Sequence, residues 1–151
     1  MNFRRLAVVG AAIVVIIVVV SIERTNRGPT VRVGNAVFTV EIADEPAEQA
    51  QGLSGRPSLA ADYGMLFIFP TADRYSFWMR NMQFSLDIVW IADGKVVDIS
   101  RNLPPEGDAP ALMYQPQVPA EMVLEINAGT ADAKGIKVGD EVSTEENYSN
   151  F

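Results

Sequence analysis

Short apolar runs separated by glycine-containing turns limit the fold of this chain more than any other feature. Two β-branched runs, residues 31–33 and 36–42, flank Gly34-Asn35, which predicts a hairpin with a two-residue turn. Asp93-Gly94 predicts a second tight turn between two later strands. The segments with helical signals are too short to cover a parallel sheet. The pattern therefore predicts a mainly β fold, a compact antiparallel β-barrel or sandwich with one or two short helices.

Two segments carry the helix signals. Residues 44–52 combine an acidic start, Pro46 in the first turn and Gly52 at the exit, which predicts a short helix that we interpret as a local element outside any site. Residues 130–134 predict a one-turn helix. Residues 64–70 are apolar on both faces, so we expect a fully buried strand that Pro70 ends. Further strands are predicted over residues 75–82, 84–92, 95–100, 121–127 and 136–143, the last of them interrupted by a Gly139-Asp140 turn.

An apolar run precedes these strands. Only Gly10 and Ser21 interrupt the apolar character of residues 6–22, a length at the lower edge of a bilayer-spanning helix. Because the run lacks an Ala-x-Ala ending, we expect residues 1–27 to be an uncleaved signal anchor with a transmembrane helix, and a cleaved signal peptide is the alternative. We therefore predict a single-pass protein of the inner (cytoplasmic) membrane whose domain faces the periplasm or the cell exterior. In the alternative the domain is secreted to the periplasm.

The rest of the chain is predicted to form one domain. Residues 28–36 are interpreted as a linker and first strand, residues 37–143 as a single β domain, and residues 144–151 as a flexible polar tail. Residues 102–120 contain five prolines and predict a long irregular loop, a kind of segment that is commonly functional or mobile.

The composition excludes several classes of function. The chain has no cysteine and no histidine, which excludes disulfides, thiolate or histidine catalysis and Cys/His zinc sites. Without residues 1–27 the chain keeps 8 basic and 18 acidic residues, a net charge of −10. Such a charge repels phosphates, so no nucleic-acid partner is expected. No cofactor is predicted. No metal is predicted either, because Asp93 and Asp98 are too few ligands for calcium and Glu106-Gly107-Asp108 adds only a weak candidate.

The candidate side chains for a functional site are therefore carboxylates, arginines, an amide and an aromatic ring. Asp87 alternates with Val89 and Ile91, so a carboxylate on that face must be paired or protonated, and its pairing is either structural or part of a ligand site. An exposed Trp78 beside an arginine would be a platform for a sugar ring or peptide, although aromatic residues in strands are more often core. The candidate ligand-binding residues are Arg56, Trp78, Arg80, Asn81, Asp87 and Glu125.

The sequence alone does not decide which side chain pairs with Asp87 or whether Glu125 is exposed. Arg56, Arg80 and Asn81 are the expected partners of the Asp87 side chain. Glu125 lies on the strand face opposite Leu124 and Ile126, where it could be solvated.

Several motifs, in this order along the chain, resemble the domain of unknown function 192 (DUF192) family. The most specific is Phe77-Trp78-Met79-Arg80-Asn81 followed by Leu86-Asp87-Ile88. It is accompanied by Gly52-Leu53, by Gly64-Met65-Leu66-Phe67-Ile68-Phe69 and by Val123-Leu124-Glu125-Ile126-Asn127-Ala128-Gly129. The resemblance extends from about Val37 to Val142. It implies a compact, mainly β domain, often behind a signal sequence or anchor, and it implies no activity.

These observations favour a membrane-anchored extracytoplasmic domain without catalytic residues, which binds a small ligand, a glycan or a protein partner. The alternative is an enzyme of unknown reaction, a carboxylate-based hydrolase that would use Asp87 and Glu125 as its acid and base or nucleophile. A cluster of these side chains in a deep pocket would favour the enzyme. An Asp87 bonded to backbone groups would favour the binding domain.

Overall fold

A computed structural model describes residues 28–144 of the protein. The predictions of a signal anchor or signal peptide and of a flexible tail fall outside these residues, apart from Thr144, which ends the last strand. No helix within residues 28–144 is long and apolar enough to cross a bilayer. The elements, in chain order, are β1 (Thr30–Val33), β2 (Ala36–Ala43), α1 (Pro46–Gln51), β3 (Tyr63–Asp73), β4 (Leu86–Ala92), β5 (Lys95–Leu103), β6 (Ala120–Asn127), α2 (Thr130–Ala133) and β7 (Val142–Thr144).

The seven strands form one sheet in the order β5-β4-β6-β3-β2-β1-β7. Neighbouring strands are antiparallel except β2 and β3, which run parallel. The sheet curls into a half-barrel, and its two edge strands approach each other at a bridge between Lys95 and Glu141. The prediction of a mainly antiparallel β fold with two short helices is confirmed. Residues 28–144 do not form a two-sheet sandwich, because all their strands belong to the same sheet.

Most of the turns and helices lie where local sequence signals predict them. Val33 pairs with Ala36 across the Gly34-Asn35 turn, and both residues of the Asp93-Gly94 turn have positive φ, as a tight hairpin turn requires. Helix α1 begins with a capping box in which Glu45 and Glu48 each accept a hydrogen bond from the other's backbone N–H. Pro70 does not end its strand. β3 continues to Asp73 after a register shift beyond Ile68, where the loss of one N–H is tolerated.

The segment between β3 and β4 differs from the prediction. Residues 75–82 were expected to form a strand with alternating faces, but the structure shows strand-type pairing there only at two isolated bridges, Phe77 to Tyr114 and Arg80 to Glu106. Both partners belong to the proline-rich loop. The alternation ends at Asn81, which has a φ of 52° and lies in a turn. In the last predicted strand, residues 136–143, only Val142 and Ser143 lie in β7.

Both faces of the sheet are buried, each against a different cover. The concave face encloses a cluster that includes Val31, Phe38, Leu66, Val89 and Ile126, with Ala131 and Ile136 packed on it. The opposite face is covered by the loops that follow α1, β3 and β5. Its cluster contains Leu53, Phe67, Met79, Ile88, Trp90 and Val123. Because loops cover this second face, it is the face on which a cleft can open to solvent.

Candidate functional site

A cleft of about 210 Å³ opens on the loop-covered face, between α1 and the segment after β3. We call it the aromatic cleft. Five of its lining residues are aromatic: Phe67, Phe69, Tyr75, Phe77 and Trp78. The remaining lining residues are Gln49, Ala50, Gln51, Gly52, Leu53, Ser54, Ser76, Met82 and Glu125. The cleft is thus a largely apolar pocket with a single ionisable carboxyl group in its lining.

The aromatic rings form one connected group. Phe69 and Tyr75 stack with centroids 3.7 Å apart, and Phe77 meets Phe67 edge-on at 4.9 Å and Trp90 edge-on at 5.3 Å. Phe67 and Trp90 are completely buried, whereas Trp78 is 39% exposed. The connected rings therefore extend from the core into the cleft, and Trp78, another lining residue, is partly exposed at its mouth.

Glu125 is the unusual group of the aromatic cleft. The residue is 5% exposed, and its Oε2 atom is buried without a hydrogen-bond partner among the described residues. Burial raises the pKa of Glu125 to about 8, and the positive charge of Arg56 opposes this effect only partly. Glu125, which the sequence pattern left open to be solvated, is therefore a buried carboxylic acid that is mostly protonated at neutral pH.

Two glycines make room around Glu125. A Cβ atom on Gly64 would lie 2.8 Å from the Glu125 carbonyl oxygen and 2.9 Å from the Leu124 side chain. Only glycine at this position therefore allows strands β3 and β6 to lie as close together as they do. Gly52 ends α1 with a φ of 51°, and a Cβ on it would lie 3.4 Å from the Phe67 ring and 3.9 Å from Oε2 of Glu125. Gly52 therefore lies beside the carboxyl group, at a backbone conformation that favours glycine.

Arg56 lies beside the aromatic cleft rather than in it. Its guanidinium donates two hydrogen bonds to the Glu41 carboxylate, at 2.5 and 2.7 Å. This bidentate pair lowers the pKa of Glu41 through the hydrogen bonds to Arg56. Arg56 also lines a shallow depression next to α1, together with Gly52 and Met65. Its charge therefore acts on Glu125 from a position in which it is already paired.

Trp78, Arg80 and Asn81 line a second recess, which we call the side groove. It measures about 320 Å³ and shares Ala50, Gln51, Ser54 and Trp78 with the aromatic cleft. The Ser54 hydroxyl donates to the Arg80 carbonyl at 2.8 Å, and the Gly55 N–H donates to the Asn81 carbonyl at 2.9 Å. These bonds attach the segment after β3 to the turn after α1, so the two recesses are adjoining parts of one surface.

Asp87 is not part of that surface. It is completely buried, and its two carboxylate oxygens accept hydrogen bonds from the backbone N–H groups of Asn102, at 2.8 Å, and Ala131, at 2.9 Å. The expectation that Arg56, Arg80 or Asn81 would pair with it was wrong. Asp87 instead joins the end of β5 to the first turn of α2, which is a structural role.

The register of β4 and β6 separates the two carboxylates of the hydrolase alternative. Asp87 is opposite Ile126 and Ile88 is opposite Glu125, so Asp87 and Glu125 occupy adjacent register positions. Adjacent positions in a strand point to opposite faces of the sheet. The two carboxylates therefore cannot act on one substrate from the two sides of a bond.

Sequence reasoning missed most of the walls of the aromatic cleft. Helix α1, interpreted as a local element, lines the cleft with Gln49, Ala50 and Gln51. Phe69 and Tyr75 belong to a strand end and a loop, and no periodic pattern distinguishes them from core residues. The available signal was the motif set that resembles DUF192, since Gly52, Gly64 and Glu125 all fall in it. Residues 28–144 contain no cluster of three acidic side chains that could hold a metal.

Comparisons with known proteins find one family and two similar structures. The model of the DUF192 family, described as "Uncharacterized ACR", matches residues 29–144. A crystal structure described as a candidate transcription regulator from Sinorhizobium meliloti 1021 is 35% identical with a TM-score of 0.70, covering 77% of this chain and 92% of that chain. A protein of unknown function from Novosphingobium aromaticivorans DSM 12444 is 39% identical with a TM-score of 0.69, covering 76% and 83%. A search of curated proteins finds no match.

Proposed function

We propose that this chain, which belongs to the DUF192 family, is a binding domain that takes a small organic ligand into its aromatic cleft. The observation that carries the proposal is the unpartnered Oε2 atom of Glu125, buried in the lining of a largely apolar pocket. A buried polar atom without a partner destabilises the folded protein, by about 1–3 kcal/mol in typical cases. A ligand that supplies the missing hydrogen bond recovers that free energy on binding.

The size of the cleft favours a small ligand over a glycan or a protein partner. Its volume of about 210 Å³ is below the roughly 300–1,000 Å³ of pockets that enclose drug-sized molecules. The adjoining side groove could hold a polar extension of the ligand, because Arg80 and Asn81 line it. Arg80 makes no ion pair with any residue in the range 28–144. Arg56, in contrast, would act on the ligand only through its charge.

Binding without catalysis is supported by the same arrangement. General acid–base hydrolysis of a glycoside needs two carboxyl groups on either side of the scissile bond. The aromatic cleft has Glu125 alone, and Asp87 lies on the other face of the sheet. Tyr75 is the other titratable residue in the lining.

A fragment screen by NMR on the full-length chain tests the proposal. The indole N–H signal of Trp78 reports on the mouth of the cleft, and its loss in Trp78→Phe identifies it. Ala50→Phe would fill the cleft from α1, because Ala50 is exposed and lines both recesses. Ala47→Phe is the matched control, since Ala47 is on the same helix and lines only the neighbouring depression.

We expect fragments that shift the Trp78 signal in the wild type and in Ala47→Phe to leave it unchanged in Ala50→Phe. The proposal fails if no fragment moves the Trp78 signal, or if Ala50→Phe binds the same fragments as tightly as the wild type.

We also propose that residues 6–22 hold this domain at the outer side of the cytoplasmic membrane, or direct it to the periplasm if the segment is cleaved. The support is the apolar run itself, which is preceded by Arg4 and Arg5. Fractionation of expressing cells with intact-mass measurement distinguishes the two forms. An anchor gives a full-length mass in the membrane fraction, and cleavage gives a shorter mass in the periplasmic fraction. Recovery of the full-length chain in the soluble cytoplasmic fraction would contradict both forms.

A further inference from the structure

We propose that the aromatic cleft selects an organic cation, and that a small ligand enters it with an ammonium group that pairs with Glu125 among the aromatic rings. This inference rests on the proposed function, because it names the chemical class of the ligand that the cleft binds. It follows from three properties, namely a carboxyl group in the cleft without a counter-ion, the aromatic walls of the cleft and the net negative charge of the domain.

Glu125 has no counter-ion in the cleft. The residues opposite it in the neighbouring strands are Met65 on β3 and Ile88 on β4, both uncharged. Arg56, from the loop after α1, is the charged group whose field reaches it, and Arg56 is held by Glu41. Tyr75 is the remaining titratable group in the lining. The site therefore has a place for a positive charge that no described side chain fills.

The walls of the cleft suit a cation as well as an apolar group. The faces of aromatic rings carry negative partial charge and attract ammonium groups, most strongly where water is excluded. The cation–π contact found within the described residues joins Lys134 and Phe38, on the concave side of the sheet. Phe69, Tyr75 and Phe77 line the same cleft as Glu125, and among the described residues no protein cation lies against their rings.

The charge of the whole domain acts in the same direction. Residues 28–144 contain 16 acidic and 8 basic residues, a net charge of −8. A field of this sign raises the local concentration of cations and lowers that of anions. A carboxylate or phosphate group placed next to Glu125 would meet both this field and the Glu125 carboxyl group, so an anionic group is the least favoured one at that position.

Binding of an ammonium group has a proton-linked consequence. The free cleft holds Glu125 mostly as the neutral acid at pH 7, because its pKa is about 8. An ammonium group favours the carboxylate form, so the Glu125 proton leaves to the solvent as the ion pair forms. With a pKa of about 8, binding at pH 7 should release most of one proton per ligand.

Three probes that share one ring and differ in charge test the inference, namely benzylammonium, benzyl alcohol and benzoate. Each is titrated into the full-length chain in a non-ionic detergent at pH 7, and the Trp78 indole signal is followed by NMR. The buried Trp90 serves as an internal reference. Glu125→Gln removes the ionisable group and keeps the shape, and Ala50→Phe blocks the cleft. Calorimetry in phosphate and in Tris, two buffers with different ionisation enthalpies, measures the proton released.

We expect benzylammonium to bind at least 10-fold more tightly than benzyl alcohol, benzoate to bind most weakly, and one proton or slightly less to be released. In Glu125→Gln the preference for the cation should fall to within about threefold, without proton release. Ala50→Phe should bind none of the probes.

The inference is overturned if benzyl alcohol binds as tightly as benzylammonium, or if Glu125→Gln keeps the preference. In either case the cleft still binds small ligands and the proposed function stands. If benzylammonium does not move the Trp78 signal, the inference is also overturned. The fragment screen then decides independently whether the cleft binds ligands at all.

Discussion

The raised pKa of Glu125 makes the stability of this protein depend on pH in a direction unusual for a carboxyl group. In the unfolded chain Glu125 ionises near its ordinary pKa of 4.5, whereas in the folded protein its pKa is about 8. Between these two values the folded state holds one more proton than the unfolded state. The free energy of unfolding therefore falls as pH rises, by about 1.4 kcal/mol per pH unit, and levels off above pH 8.

The magnitude follows from the two pKa values. From pH 5 to pH 8 this one group should lower the free energy of unfolding by roughly 3–4 kcal/mol. The loss is a large part of the total stability of a domain of this size, about 5–15 kcal/mol. Glu125→Gln removes the titration and keeps the volume of the side chain, so its stability should lack this fall.

Urea unfolding of the wild type and of Glu125→Gln at pH 5, 6, 7 and 8 measures the effect, with tryptophan fluorescence as the signal, since unfolding exposes the buried Trp90. With a urea dependence of about 1–3 kcal/mol per molar, the wild-type midpoint should fall by roughly 1–3 M relative to that of the variant. Glu141→Gln is the matched control, because Glu141 is exposed and its side chain makes no hydrogen bond or ion pair with the described residues.

The control should follow the wild-type pH profile. Parallel profiles for the wild type and Glu125→Gln would refute the reasoning, since they would mean that Glu125 titrates near its ordinary value in the folded protein.

Three further changes test the surroundings of the cleft. Asp87→Asn places an amide N–H against a backbone N–H, so it should lower the free energy of unfolding by about 2–4 kcal/mol. Fragments should still shift the Trp78 signal in this variant. Loss of fragment binding in a folded variant would argue against a purely structural role for Asp87. Gly64→Ala should cost about 1–3 kcal/mol in urea unfolding because its Cβ has no room, and a neutral result would disprove the close approach. Arg56→Gln should change the free energy of unfolding at pH 5 by less than about 1 kcal/mol, because the Arg56–Glu41 pair is exposed. The variant loses a positive charge near Glu125, so the pH at which stability levels off should rise from about 8 to a higher value. An unchanged levelling point would show that this charge does not reach Glu125.

Much of the fold was predictable because its signals are local. The Gly34-Asn35 and Asp93-Gly94 turns, the capped helix α1 and the fully apolar start of β3 each depend on neighbouring residues only. The prediction was wrong where a distant partner decides the conformation. Residues 75–82 alternate like a strand, yet they pair with the proline-rich loop at single bridges and turn at Asn81.

The candidate site was predictable by residue type more than by arrangement. Five of the six proposed residues, all except Asp87, line the aromatic cleft, the side groove or the depression beside them. Which carboxyl group belongs to the cleft could not be read from the sequence, because Asp87 and Glu125 both lie in strands that are apolar on each side. The register of β4 against β6 decides it, and register depends on pairing across the sheet.

The sequence by itself determined the chemistry available to this protein. A chain without cysteine or histidine, with an acidic domain and short apolar strands, can bind with carboxyl groups, arginines, amides and rings in a mainly β fold. The tertiary structure alone decided that Asp87 is bonded to two backbone N–H groups, whereas Glu125 is buried without a partner in the lining of an aromatic cleft. The physical reason is that the pKa and the role of a carboxyl group depend on the groups that surround it in space, and those groups come from strands and loops far apart in the chain.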